Sequence, residues 1–228
     1  MKPVTLTLTT CKRPELFCET INSWKRNCLD LCLISEVLWA DDSSSDDQYS
    51  IMRNALLDIF PSTMVKELRR KDGPKGLSYS LNSILDNFQT DLTLHLEDDL
   101  IIDRRIPALI MGQYILEEFS QVKQVLFNER RMFPEYKTKT NISFTIWEKG
   151  IIQDNGEPVK HGGWSQNPTL TDLRFYRDKY GYFNHVNIEG SYTDVSYDDG
   201  IRTACLNDIK LIHLGQGYSA FDINQTSR

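Results

Sequence analysis

The chain has 228 residues, 40% of them hydrophobic, enough to bury a substantial core as one domain. Its formal net charge of −6 at pH 7 offers no general attraction to a polyanion, which argues against broad nucleic-acid binding. No apolar run approaches the roughly 20 residues needed to cross a bilayer. Met1-Lys2-Pro3-Val4 goes straight into a strand pattern, so no secretory signal is expected. The five cysteines, at positions 11, 18, 28, 32 and 205, form an odd set without paired zinc spacing. Cys28 and Cys32, four apart, would share one side of a helix if one ran through them, a weak sign of a disulfide or a metal. Reduced thiols are the simpler account, so the expected compartment is the cytoplasm, or a cytoplasmic membrane face reached through a partner. The sequons at Asn141 and Asn224 are then chance matches.

Residues 4–9, Val-Thr-Leu-Thr-Leu-Thr, alternate as a strand should. Pro14 suits the first turn of a helix, and Leu16, Phe17, Thr20, Ile21 and Trp24 follow at helical spacing. A second strand is predicted over 34–40, ending in the polar run 41–46, which can cap a helix carrying Ile51, Leu56, Leu57 and Phe60. Residues 63–68 read as a third strand, and the turn-rich 71–76 leads into a helix with Leu77, Leu81, Ile84, Leu85 and Phe88 on one face. A fourth strand spans 91–96. This βα rhythm over the first hundred residues predicts a largely parallel sheet covered by helices.

The second half is less regular. The pattern predicts a helix over 106–119, a strand over 122–127, a strand or hairpin over 141–152 with Asp154-Asn155-Gly156 as its turn, and a helix over 171–180. Residues 189–206 read as mixed or helical and 209–214 as a last strand, before a polar tail from Ser219.

The chemistry-bearing residues collect at predicted strand ends. Glu97-Asp98-Asp99 follow the buried-strand pattern of Leu92, Leu94 and Leu96. Oxygen-rich clusters of this kind suit magnesium or manganese, most usefully when a substrate diphosphate completes the shell; a solvated acidic loop is the alternative. Asp41-Asp42 ends another strand. Open parallel sheets bind ligands outside the carboxyl ends of their strands. That rule gathers Thr9, Thr10 and Arg13 with Asp41 and Asp42 and with Glu97, Asp98 and Asp99 on one edge. The Lys75-Gly76 corner precedes a helix whose free amides favour a phosphate. Ser78 and Asn82, four apart, then face the same ligand and Lys75 adds charge; the other reading is a plain turn with a surface Asn82. No GxxxxGK[ST] or GxGxxG pattern is present, which argues against an ATPase or a dinucleotide dehydrogenase.

Residues 9–16 (Thr-Thr-Cys-Lys-Arg-Pro-Glu-Leu), 41–46 (Asp-Asp-Ser-Ser-Ser-Asp) and 97–99 (Glu-Asp-Asp) resemble the successive motifs of GT-A fold glycosyltransferases. The match is closest to the family-2-like group that uses nucleotide-diphosphate sugars. The resemblance implies an α/β fold, a single GT-A (Rossmann-like) domain with a mostly parallel central sheet flanked by helices and a smaller mixed β part in the second half. It implies a nucleotide-binding half over 1–100, an acceptor and catalytic half over 101–218, and a tail over 219–228. Three shorter matches follow in the expected order. His161-Gly162-Gly163-Trp164-Ser165 resembles the glycine-rich loop beside donor sugar and acceptor. Asn187-Ile188-Glu189-Gly190 sits where the family carries its acidic catalytic motif, and residues 211–215 resemble the segment with the late metal-binding histidine. Glu97 replaces the usual first Asp, and Gly190 stands where a catalytic Asp is common.

What the resemblance implies is a metal-dependent glycosyltransferase, inverting, that moves a sugar from a nucleotide-diphosphate donor to a hydroxyl of a glycan or other acceptor. UDP-sugar is favoured because uridine is common among relatives. The cofactor is Mn2+, or Mg2+, held by Asp99 and His213 with Asp98 in support. Nucleotide binding falls to Thr9, Thr10, Arg13, Asp41, Asp42, Lys75, Ser78, Asn82, Glu97 and Asp98, with Glu97 on the ribose. Glu189 is the candidate base; it equally suits the cap of a following helix, and Asp194 is the reserve. Gly162, Gly163 and Trp164 would meet the sugars, although Trp164 equally suits the core. His95 reads as a packing residue, and His161 and His185 as acceptor-side or surface residues. The rival readings are a metal-dependent phosphohydrolase acting on nucleotides and a nucleotide-sugar-binding module that has lost catalysis.

Overall fold

The computed structural model describes residues 1–73, 75–130, 132–152, 156–159, 163–183, 192–207 and 209–215. The first half alternates as the sequence pattern predicts: β1 (Val4–Thr10), α1 (Pro14–Asn27), β2 (Ile34–Asp42), α2 (Asp46–Leu57), β3 (Val65–Arg70), α3 (Leu77–Leu85) and β4 (Leu92–Glu97). Then come β5 (Leu100–Ile102), α4 (Ala108–Glu118), β6 (Val122–Leu126), β7 (Glu135–Lys137), β8 (Ser143–Ile146), β9 (Thr169–Asp172), α5 (Leu173–Tyr180), α6 (Thr193–Asp198), β10 (Arg202–Leu206) and β11 (Leu211–His213).

One nine-stranded sheet runs β3-β2-β1-β4-β9-β6-β10-β8-β7, and β5 with β11 makes a separate two-stranded ribbon. Strands β3, β2, β1 and β4 are mutually parallel, and β9 is the antiparallel insert between β4 and β6. The carboxyl ends of β1, β2, β3 and β4 therefore share one edge.

Every residue of β1 is buried. Its alternation separates two covers rather than inside from outside, as expected for a central strand with helices on both faces. Val4, Leu6 and Leu8 pack with Phe17, Ile21 and Trp24 of α1 and with Met52 and Leu56 of α2. These side chains are essentially inaccessible, and each contributes about 1.5–3 kcal/mol of transfer free energy. The opposite face of the sheet carries Thr7, Thr93 and His95, which lie under Leu81 and Ile84 of α3 and under Trp164. Helix α2 starts with a capping box, in which the Ser45 hydroxyl and the Gln48 side chain satisfy each other's backbone amides.

Several boundaries differ from the sequence pattern. Thr171 belongs to β9, not to a helix from 171 to 180, because Thr169 and Thr171 pair with both β4 and β6, and Asp172 then caps α5 by accepting from Phe175 N. Pro107 delays α4 to Ala108, and a 3-10 turn over Ser62–Met64 delays β3 to Val65. Ile51 is exposed, and Tyr49 and Met52 take the inner face of α2. Phe88 is buried but lies beyond the end of α3. The 141–152 segment contributes only β8 to the sheet, and Ile152 makes an isolated bridge with Pro158. Asp154 and Asn155 of its expected turn, and the tail from Ser219, lie outside the described residues. No helix among the described residues is long and apolar enough to cross a membrane.

Candidate functional site

Parallel pairing brings the expected strand ends together. Thr9 pairs with Glu97, and Thr10 pairs with Asp41. The turns beyond β1 and β2 hold two non-glycine residues in the left-handed region, Lys12 at φ 57° and Ser43 at φ 71°. A network fixes these conformations. Asp41, fully buried, accepts from the Thr10 hydroxyl at 3.0 Å, from Ser44 N at 3.0 Å and from Ser44 Oγ at 2.6 Å. Trp39 Nε1 donates to Thr10 Oγ1 at 2.9 Å, and Lys12 N donates to Ser44 Oγ at 2.9 Å. Asp41 thus spends its carboxylate on shaping the β1 and β2 turns.

Asp42 binds the neighbouring loop. Lys75 N and Gly76 N donate to its two carboxylate oxygens at 3.0 and 2.8 Å, and Arg70 Nη1 stands 3.8 Å away. The two amides of the corner before α3 therefore hold a carboxylate of the protein itself. Gly76, at φ 90°, permits the sharp entry into α3. Lys75 Nζ pairs with Asp72 at 3.1 Å on the surface, and Ser78 is buried in the first turn of α3. Both amide atoms of Asn82 are engaged, since its Nδ2 donates to Phe183 O and its Oδ1 accepts from Phe183 N.

The acids after β4 diverge in role. Glu97 is half-buried beside Thr9. Asp98 is buried and takes two prongs of the Arg13 guanidinium, Nε at 3.2 Å on Oδ2 and Nη2 on Oδ1. The third prong, Arg13 Nη1, donates to Asp99 Oδ2 at 2.8 Å. Burial pushes the Asp98 carboxyl up to about 6 despite that guanidinium. Burial also works against the Arg13 charge, but Asp98 and then Asp99 hold its pKa above the ordinary value.

His213 arrives at Asp99 through the β5–β11 ribbon. Leu100 pairs with His213, and Leu214 N donates to Asp99 O at 2.8 Å. The His213 Nε2 then lies 3.5 Å from Asp99 Oδ2, with the imidazole 38% exposed and the carboxylate 6%. A buried carboxylate oxygen and an accessible imidazole nitrogen thus face each other, the two groups that the family resemblance implies for a cation. Gly215 packs closely against the same carboxylate, since a Cβ there would stand 2.5 Å from Asp99 Oδ2 and 3.3 Å from Arg13 Nη1. Gly215 had no role in the sequence reading; its only signal was its place two residues after the histidine.

The remaining expected residues lie elsewhere. Trp164 is buried, with its ring 5.3 Å from Phe183, 5.1 Å from Tyr192 and 6.3 Å from Tyr176. Of its two readings, the structure has the core one. Gly163 is required for packing, because a Cβ there would stand 2.4 Å from the Trp147 ring. Asp194 is paired with Lys149 at 2.9 Å. His95 is buried, with Nδ1 3.0 Å from the Thr7 hydroxyl, and burial pulls its pKa down to about 4. Cys11 lies at the acid edge, but burial and then Asp42 push its thiol up to about 11, so it is no nucleophile at neutral pH. Glu189, Gly162, His161 and His185 lie outside the described residues. A groove of about 630 Å³ at the opposite end of β4, lined by Lys2, Asp91, Asp172, Arg174 and Asp178, is remote from this chemistry.

No protein-family model and no curated protein matches this chain. Solved structures do. The chain is similar to the mannosyltransferase PcManGT from Pyrobaculum calidifontis in complex with GDP-Man and Mn2+, with 16% identity and a TM-score of 0.64 over 99% of this chain and 61% of that one. It is similar to S. aureus TarS 1–349 in complex with UDP-GlcNAc, with 16% identity and a TM-score of 0.62 over 96% and 62% of the two chains. GalNAc-T7 with UDP, GalNAc and Mn2+ matches at 8% identity and a TM-score of 0.61, over 93% and 44%. This chain therefore spans about three-fifths or less of the length of these structures. The α/β fold, a large and mostly parallel sheet flanked by helices, is that of GT-A-type glycosyltransferases.

Proposed function

We propose that this chain transfers a sugar from a nucleotide-diphosphate donor, UDP-sugar being favoured, to a hydroxyl of a glycan or glycoconjugate acceptor, with Mn2+ or Mg2+ as cofactor. One observation carries the proposal: Asp99 Oδ2 and His213 Nε2 converge within 3.5 Å at the carboxyl edge of a GT-A sheet. The similar complexes with GDP-Man, UDP or UDP-GlcNAc, two of them with Mn2+, support it by likeness of fold.

The donor set fits a hard divalent cation. No group of three metal-ligating side chains occurs among the described residues, so a carboxylate and an imidazole would leave positions for diphosphate oxygens and water. The same spot already attracts a cation, since Arg13 Nη1 sits on Asp99 Oδ2. A bound cation supplies charge neutralisation for the departing nucleoside diphosphate.

The chain's own residues supply the rest. Thr9, Thr10, Asp41 and Asp42 form the edge against which base and ribose would lie, and Glu97 beside Thr9 would hydrogen-bond the ribose. Lys75 and Ser78 border the loop held by Asp42, from which Lys75 can reach a diphosphate. Gly162 and Gly163 would border the sugar subsites as backbone. Glu189 is the proposed base. It would take the acceptor proton on the face of the sugar opposite the leaving group, a contribution of ~10²–10⁴-fold in rate. That geometry gives inversion at the anomeric carbon.

A thermal-shift screen of UDP-, GDP- and dTDP-sugars with and without Mn2+ tests the reading. Stabilisation by one nucleotide sugar only when Mn2+ is present is the expected result. Release of free nucleotide that needs no acceptor would replace transfer with phosphohydrolysis. No stabilisation by any donor would end the proposal. Glu189→Gln should retain the donor shift and abolish product.

A further inference from the structure

Arg13 faces the acids in an arrangement that a nucleotide-binding role does not require. Its three donor nitrogens all point at protein carboxylates, two at Asp98 and one at Asp99. Asp98 is 2% exposed, so its pairing is internal and less screened by solvent than a surface bridge. Asp99 Oδ2 is contested, with Arg13 Nη1 at 2.8 Å on one side and His213 Nε2 at 3.5 Å on the other. Gly215 backs directly onto the same oxygen, and Leu214 N fixes the Asp99 backbone, so the carboxylate has little freedom to turn elsewhere.

We propose that Arg13 is a positioning residue that serves as the internal counter-cation of the acid pair, and that a divalent cation entering between Asp99 and His213 displaces Nη1 while Nε and Nη2 remain on Asp98. This rests on the reading of Asp99 and His213 as the cation-holding pair. The physical reason is that one carboxylate oxygen cannot serve a guanidinium at hydrogen-bond distance and a divalent ion at ligand distance without placing two cations almost in contact. Arg13 therefore keeps both carboxylates in place before the metal arrives, at the cost of competing with it. Asp98 remains the hinge on which the guanidinium pivots, because its two prongs do not meet the incoming ion.

Titration of Mn2+ alone, followed by loss of the free-ion EPR signal, tests this on the intact chain, Arg13→Gln and Asp99→Asn. Arg13→Gln should bind Mn2+ at least tenfold tighter than wild type, and Asp99→Asn at least tenfold weaker. On wild type, 15N NMR of the Arg13 guanidinium should show Mg2+ shifting the Nη signals while Nε is little changed, which covers the case where the variant folds poorly. Equal or weaker Mn2+ binding by a folded Arg13→Gln, or Nη signals unmoved by saturating Mg2+, would overturn the counter-cation role and leave the metal pair standing. Absence of Mn2+ binding in wild type and Arg13→Gln alike would remove the metal pair and the counter-cation together.

Discussion

Asp99 and His213, far apart in the sequence, meet at 3.5 Å because Leu100 and His213 are register partners in the β5–β11 ribbon. A three-residue hairpin-like pairing thus does what the large sheet does not: it delivers an imidazole to the acids that follow β4. The relationship is backbone-determined, since Leu214 N bonds Asp99 O directly.

Gly215→Ala tests how closely that ribbon must approach. The added methyl would stand 2.5 Å from Asp99 Oδ2, so the carboxylate or the ribbon must move. Mn2+ affinity measured by calorimetry should fall at least tenfold, with a change in unfolding free energy no larger than about 1–3 kcal/mol. Unchanged Mn2+ affinity would show that Asp99 is not held where the metal needs it.

Asp42→Asn addresses the loop before α3. The variant keeps one acceptor but loses the charge and one of the two amide bonds to Lys75 N and Gly76 N. A cost of about 1–3 kcal/mol is expected from the amide left unmatched. Hydrogen exchange should accelerate at residues 75 and 76 before it does anywhere in β2. Uniform acceleration across the sheet would mean that Asp42 serves global stability instead.

Trp164→Ala should destabilise the fold by about 3–5 kcal/mol, because the ring is buried among Phe183, Tyr192 and Tyr176. Trp164→Phe should recover most of that in urea denaturation. Donor binding at a temperature where both variants are folded should match wild type. A selective loss of donor binding in Trp164→Phe, without loss of stability, would restore a sugar-stacking role.

The pH response of stability has a window set by His95. Burial lowers its folded pKa to about 4 from 6.5, so the folded protein keeps the ring neutral while the unfolded chain protonates below 6.5. Its contribution is complete above pH 6.5 and is lost progressively as pH falls towards 4, amounting to about 3 kcal/mol. His95→Asn keeps an acceptor or donor for the Thr7 hydroxyl but cannot titrate. Subtracting its unfolding free energy from that of wild type across pH 4–7 should isolate this slope, and a flat difference would refute it.

The edge of the parallel half was legible in the sequence because local patterns decide it: the alternation over residues 4–9, the run of acids at 97–99, the capping run at 41–46. What was not legible depended on partners remote in the chain. Thr169 to Asp172 became a strand because β4 and β6 left a slot between them, and nothing in those four residues forbids a helix. Asn82 was read as ligand-facing from its i, i+4 spacing to Ser78, yet the Phe183 backbone takes both of its amide atoms. Arg13 was placed on the nucleotide by motif, while three-pronged pairing with Asp98 and Asp99 is visible only once the turn after β1 is folded over the end of β4.

A crystal of the chain soaked with Mn2+ and UDP, with data collected at the manganese absorption edge, would locate the cation directly. An anomalous peak within ligand distance of Asp99 Oδ2 and His213 Nε2, bridged to the diphosphate, is the expected result. A peak away from both residues, with the diphosphate on another edge of the sheet, would contradict it.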